Sequence, residues 1–512
     1  MKKNVLALSI AAMIGSLGFA GVASAGTVIT NPAPGAALEV TPTGIGHILL
    51  VPYFSTQNGN VSLLNITNTD QTNGKAVKLR YRGAANSDDI YDITIYLSPG
   101  DMWSANVSQV DGVSTLVTND NSCTLPADVN VRFGTARLTA EDSLADNKAG
   151  TLEGYIEILN MADVPPGSAL YTSIKHVKQA DGSYVAPCAT MPSQKTDLAD
   201  YPAAQARGYD YPTGGLMANW SIINLDKAGS FTGDATAIIP DGGANIVFSP
   251  QEEEATVTAA AAALLTADPL LAAPTATLTA KNYDFPDLST PYIGVIAPID
   301  QAHMLSHALA TASITNEYMT SPDVGFATDW TFSMPSRRYN VALNYKTSPA
   351  SVVYATGGAY FTAANVTRVG DQICVNSKFE DLEYFNTEEG KKTTKPGGYV
   401  VSPQRPGVKP GLNFCGETSV LTFNNPLAED QATPVLGALI ARQNLQMEST
   451  AGSTDVYTDG WMSIKTAGNP GVGGDLGLPV IGHSFAKALA FSASLGGIWK
   501  HRTSTTNIVA VP

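Results

Sequence analysis

Val77-Lys78-Leu79-Arg80-Tyr81-Arg82 alternates an apolar residue with a basic one at every step. That is the period of a β-strand with one buried face and one wet face. A little further on, Asp92-Ile93-Thr94-Ile95-Tyr96-Leu97 repeats the alternation, with Ile93, Ile95 and Leu97 as its apolar set. The connection Gly83-Ala84-Ala85-Asn86-Ser87-Asp88-Asp89 is rich in turn formers, so the two runs are expected to pair antiparallel. Similar signals recur at His47–Phe54, Asn60–Asn68, Tyr155–Leu159, Trp220–Asn224 and Ala244–Ser249. In the second half they are Val341–Lys346, Val352–Tyr354 and Val420–Phe423. Many short strands separated by Gly, Asn, Asp and Pro predict a mainly β protein of β-sandwich-type antiparallel sheets.

One or two short helices are expected to interrupt the strands. Ser249-Pro250-Gln251-Glu252 reads as a capping box with proline at the first helical position, ahead of an alanine-rich helix from Ala255 to Leu265. A second helix is expected from Asp300 to Ala312, burying Leu305, Ala308, Leu309 and Ala312. These segments form a helical and loop insertion at residues 250–325. It divides an N-terminal β-sandwich-like region at 26–249 from a C-terminal β-rich region at 326–512.

Of the 512 residues 44% are hydrophobic and only 15% charged, which excludes a coiled coil and a disordered polyelectrolyte. The formal net charge of −15 argues against nucleic acid as a partner, because phosphate backbones are met by clustered positive charge. Lys2 and Lys3 precede an apolar run from Val5 to Ala20 and then Ala23-Ser24-Ala25. This is the plan of a secretory signal peptide over residues 1–25, cut between Ala25 and Gly26. Its removal takes two lysines and no acid, so the net charge becomes −17. The most apolar later stretch, Ala255–Ala273, is interrupted by Thr256, Thr258, Thr266, Asp268 and Pro269, and no transmembrane helix is expected after signal removal. The expected location is the cell surface or the extracellular medium, with the periplasm as the alternative.

The chain has four cysteines, Cys123, Cys188, Cys374 and Cys415. An even number in an exported chain points to two disulfides, for which three pairings exist. Cys123–Cys188 with Cys374–Cys415 is preferred, since it keeps each bridge within one half of the chain.

Catalytic motifs are not legible. The sequence has no G-x-S-x-G elbow, no P-loop and no dinucleotide-binding glycine motif opening a helix. His303 and His307 share a helix face, but Met304 stands where a zinc protease carries glutamate, so that pair reads as an exposed polar face. Asp88-Asp89 reads as a solvated loop pair; glycosidase carboxylates need no fixed spacing, and on that chemistry the sequence is silent. Acidic turns at Asn68-Thr69-Asp70, Asn119-Asp120-Asn121 and Asp455–Asp459 offer oxygen ligands suited to weak calcium binding. Their Asn and Asp are equally explained by turn geometry, and no cofactor is expected.

Several phrases carry a resemblance. They are Leu50-Val51-Pro52-Tyr53-Phe54, Ile66-Thr67-Asn68-Thr69, Asn86-Ser87-Asp88-Asp89, Leu97-Ser98-Pro99 with Trp103, and Glu153-Gly154-Tyr155-Ile156-Glu157. Later come Asn316-Glu317-Tyr318, Thr328-Asp329-Trp330 with Pro335 and Arg338-Tyr339, and Leu478-Pro479-Val480-Ile481-Gly482. Together they resemble a group of exported bacterial proteins described as cell-surface proteins. The resemblance implies location and one continuous β architecture, and it brings no activity to transfer. The expected function is that of an exported, non-enzymatic structural protein of the cell surface or matrix, able to assemble into a layer or filament. Its partners would be copies of itself or other surface components. The alternative is a soluble periplasmic or secreted ligand-binding β-sandwich protein. An outer-membrane barrel is disfavoured by 31 prolines and four cysteines.

Overall fold

The structure, a computed structural model, describes residues 27–135, 138, 147–192, 198–248, 256–258, 277–279, 298–321, 325–344, 349–355, 357–369, 372–376, 382–393, 401–402, 412–424, 435–438, 442–446, 457–466, 477–488 and 496–504. The alternating run Val77–Arg82 lies in strand Gly74–Gly83, third from one edge of a seven-stranded antiparallel sheet. It pairs with Asp89–Leu97 in the expected antiparallel sense, Val77 opposite Ile95 and Leu79 opposite Ile93. On its other side runs Glu153–Val164, with Leu79 opposite Ile158 and Tyr81 opposite Ile156.

Side chains of one parity (Val77, Leu79, Tyr81, Ile93, Ile95, Ile156, Ile158) enter a core shared with a second, five-stranded sheet. That sheet runs Gly229–Asp234, Leu216–Asn224, Asn60–Asn68, Met102–Val110 and Val113–Val117, and sends in Leu64, Ile66, Trp103 and Trp220. Two sheets facing each other across alternating inward residues make a sandwich.

The second half repeats the plan. A five-stranded sheet contributes Ile314, Tyr318, Tyr384, Met462 and Ile464 to a core shared with a six-stranded sheet bearing Trp330, Phe332, Leu421 and Phe423. All sheet pairings in these large sheets are antiparallel except Thr418–Asn424 with Arg442–Gln446, which is parallel. The six-stranded sheet buries apolar side chains on both faces. Its opposite parity, including Ala327, Val420 and Phe485, packs into the N-terminal core, where the Phe485 ring meets Tyr53, Trp220 and Phe231. The cores of the two halves therefore meet through one shared sheet.

Four short helices are described: α1 Ala169–Ile174, α2 Tyr201–Arg207, α3 Pro298–Leu309 and α4 Arg337–Asn340. α3 is the helix expected from Asp300, ending three residues before Ala312 because Ala310–Thr311 turns into a strand. Ala302, Leu305 and Leu309 bury against Leu50 and Leu159 on the outer face of the seven-stranded sheet, and Ala308 packs partly against them. The helix expected over Ala255–Leu265 is corrected in part. Thr256–Thr258 is a strand paired with Thr277–Thr279, as the β-branched triplet Thr-Val-Thr favours. The rest of that segment, with its capping box, and residues 1–25 with their cleavage site lie outside the described residues.

Disulfides join Cys123 to Cys188 and Cys374 to Cys415. The first ties the edge strand Cys123–Leu125 to the helical segment behind it; the second crosses the strand pair in which Cys374 is opposite Cys415. Among the described residues, no helix is long and apolar enough to cross a membrane.

Candidate functional site

The sequence implied that Lys78, Arg80 and Arg82 face water. All three side chains are instead fully buried. The cause is physical: the outer face of the seven-stranded sheet is covered, and its basic residues reach acids on the neighbouring strands. Register places Arg80 between Asp92 and Glu157 on the neighbouring strands. Lys78 Nζ lies 2.6 Å from Asp92 Oδ2, and Arg82 Nε donates to Glu157 Oε2 at 3.2 Å, with Asp89 at 3.9 Å from Arg82 Nη1. Burial pulls the Lys78 ammonium down and pushes the Asp92 carboxyl up, while their contact works the other way. For Arg82 burial also opposes charge, but Glu157 and Asp89 outweigh it and hold the guanidinium ionised.

The turn that closes this strand pair is the second correction. Asp88 is buried and the Asp89 side chain nearly so, rather than solvated. The reason lies in the other half of the chain. Ala84 O accepts hydrogen bonds from Glu417 N at 2.7 Å and Thr418 N at 3.0 Å. Glu417 Oε2 accepts from Arg337 Nε at 2.6 Å, and its Oε1 from Arg338 N at 2.9 Å. Arg337 Nη2 returns to Ala85 O at 3.0 Å, closing a ring of contacts between the halves. Gly416 makes the approach possible. Its φ is +83°, and a Cβ there would stand 2.6 Å from Ala84 O. Beside this ring Ser333 Oγ donates to Pro52 O, and Tyr53 OH donates to Glu153 Oε2 at 2.8 Å. We call this assembly the junction.

A second charged cluster closes the other end of the same sheet. Lys75 Nζ is fully buried and donates to Asp163 Oδ1 (2.7 Å), Thr213 Oγ1 (2.8 Å) and Asp70 Oδ2 (3.1 Å). Three acceptors saturate an ammonium. Burial would raise the Asp70 carboxyl, but the amides of Asn73 and Thr72 with Lys75 hold it down at about 2. Nearby, burial lowers His47 to about 4, and its Nε2 meets Pro212 O at 3.2 Å.

The remaining sequence candidates scatter. His303 and His307 share a face of α3, but that face is half-buried rather than exposed: His307 Nδ1 meets Tyr360 OH at 3.0 Å, and His303 Nε2 is sealed without a partner. The segment around residues 357–360 covers them. In the acidic turns the oxygens face backbone amides, local ones at Asp70 and Asp120 and those of a neighbouring strand end at Asp459. Asp70 Oδ1 accepts from Thr72 N and Asn73 N, Asp120 Oδ1 from Ser122 N, and Asp459 Oδ1 from Thr320 N and Ser321 N. Asp455 lies outside the described residues. Among the described residues, no three His, Cys, Asp or Glu gather as metal ligands.

Sequence reasoning missed Glu417, Arg337 and Arg338 as partners of the 83–89 turn. No local pattern joins residues more than 250 apart, though two adjacent arginines after Pro335-Ser336 are unusual in so uncharged a chain. The cleft between the halves was also missed. It encloses about 550 Å³ and is lined by Thr232, Asp234, His483 and Lys500. Burial, then His501 and Lys500, lower His483 to about 3, so its imidazole is neutral. Comparison with protein-family models gives no match, and comparison with curated proteins gives none either.

Proposed function

We propose that this chain is an exported structural protein of the cell surface or extracellular matrix, a rigid scaffold rather than a catalyst. The observation that carries the reading is the junction. Its Arg337–Glu417 ion pair is sealed from water, and with Ala84 O and Ala85 O it fastens the 83–89 turn to residues 334–338 and 416–418. Charges buried in this way do little for net stability, but they dictate which surfaces meet. A chain that ties its two halves together through a shared sheet, a buried ion network and two disulfides supports a role in holding a shape. The disulfides fit an oxidising destination beyond the cytoplasm.

Assembly into a layer or filament belongs to the same proposal. Mature copies bearing net charge −17 repel one another, and divalent cations would bridge carboxylates between them. Electron microscopy and sedimentation of the mature protein test this. Ordered arrays that strengthen with calcium, and not with sodium chloride at equal ionic strength, support it. A monomer under all conditions removes assembly from the proposal and favours a soluble binding protein.

A further inference from the structure

We infer that the outer face of the C-terminal five-stranded sheet is a binding site for a neutral polyhydroxylated ligand, a pyranose glycan. The face is built by cross-strand register. Strands Leu382–Asn386, Asp459–Lys465 and Ser313–Met319 place Phe385, Trp461 and Glu317 in one row. The Phe385 and Trp461 rings stack with centroids 4.0 Å apart and planes 9° from parallel. Stacking occupies one face of the indole. The other lies on the Glu317 side, where both residues line a groove of about 810 Å³.

Trp461 is 40% exposed, whereas Trp103, Trp220 and Trp330 are buried to 2% or less and Trp499 is half-buried. The stacked pair stands upright on the sheet, and the indole edge and its unstacked face, left open on a rigid strand beside the groove, offer a partner a large contact surface. Sugars present faces of C–H groups that stack on such rings, with hydroxyls around the edge that need acceptors. The groove rim supplies them. Glu317 is exposed, and its backbone is pinned because its carbonyl accepts from Trp330 Nε1 and Ser484 Oγ. Asp459 commits Oδ1 to two backbone amides, so Oδ2 is the acceptor it has left. Asn386, at the end of the neighbouring strand, is buried and commits Oδ1 to the amides of Glu388 and Gly390, which fixes the turn beside the groove.

Charge selects the ligand class. Carboxylates at the rim repel phosphate and acidic sugars. The face is not uniformly negative either: Lys391 and Lys465 lie 3.1 Å and 3.9 Å from Glu383, and Lys391 Nζ stands 5.5 Å over the Phe385 ring. A polycation would meet these lysines. A neutral ligand bearing many hydroxyls meets neither conflict, and a groove with aromatic lining and few convergent polar groups is the usual form of a small-ligand site.

Calorimetry on the full mature chain tests this, using neutral hexaoses (β-linked and α-linked glucose, mannose, N-acetylglucosamine) as probes and spermine as the cationic control. The expected result is saturable binding of at least one hexaose. It should be unchanged by about 0.5 M sodium chloride, where exposed charges are screened, and weakened about tenfold or more in Trp461→Ala, as for a central aromatic anchor. Glu317→Gln should weaken it less and leave the melting temperature unaltered. Binding of no hexaose, equal binding by Trp461→Ala, or binding of spermine alone that salt abolishes would each overturn the inference. Because Trp461 is exposed, Trp461→Phe serves as a check that loss reflects the ring's breadth and not misfolding; it should retain part of the affinity.

Discussion

Replacing Glu417 with alanine strikes the junction at its centre. Arg337 Nε loses its acceptor at 2.6 Å and Arg338 N its acceptor at 2.9 Å. The side chains of Arg337 and Glu417 are both fully buried, so water cannot replace the carboxylate without opening the interface. Breaking a buried pair from one side costs about 3–5 kcal/mol. The stranded amide adds about 1 kcal/mol, for an expected loss of about 4–6 kcal/mol. Removing both partners, in Arg337→Met with Glu417→Leu, leaves no uncompensated charge and should recover most of that loss. Urea unfolding followed by tryptophan fluorescence reads the stability. Hydrogen exchange at the Thr418 amide, which donates to Ala84 O, reads the junction itself. If Glu417→Ala lies within about 1 kcal/mol of the parent, far less than a buried pair demands, and Thr418 keeps its protection, the junction does not fasten the halves.

Other consequences follow from the same geometry. Gly416→Ala combines a positive φ with a Cβ placed 2.6 Å from Ala84 O, so it should destabilise by about 2 kcal/mol or more, measured by the same unfolding assay. His47 titrates in the fold at about 4, and His483 and His501 at about 3, against about 6.5 when unfolded. The unfolded chain therefore takes up protons below about pH 6.5 that the fold refuses, and stability should fall from there as pH drops toward 4. Each histidine contributes up to about 1.4 kcal/mol per pH unit in that window, opposed by the buried Asp92 and Asp163 carboxyls, which burial raises. Melting temperatures at pH 7 and 5 check the sign, and a stability unchanged between them contradicts it. Reduction of the two disulfides, which close loops of 65 and 41 residues, should cost about 4 kcal/mol each in the chain-entropy treatment and lower the melting temperature accordingly.

The strands were legible because alternation is a local signal. Asn60–Asn68 was bounded to the residue, and the pairing of the 77–82 and 92–97 runs followed from the turn between them. Which face met water was not local. Lys78, Arg80 and Arg82 look solvated in one dimension, and only the cover provided by residues far along the chain makes them interior. The small helices were readable but passed over. α2 has Asp200 as N-cap, accepting from Ala203 N, Pro202 in its first turn and Gly208 beyond its end at φ +92°. These are ordinary start and stop signals, overlooked because seven residues leave no periodicity. The site was least legible. Phe385, Trp461 and Glu317 share a row only through strand register, which no single segment encodes.

The most direct test of the scaffold proposal is mass spectrometry of peptides released by protease from intact cells making the full-length precursor. The expected result is surface-derived peptides, an N-terminal peptide beginning at Gly26, and Cys123 linked to Cys188. Recovery of the chain only from the cytoplasmic fraction, with Lys2 and Lys3 retained and the four thiols free, would contradict it.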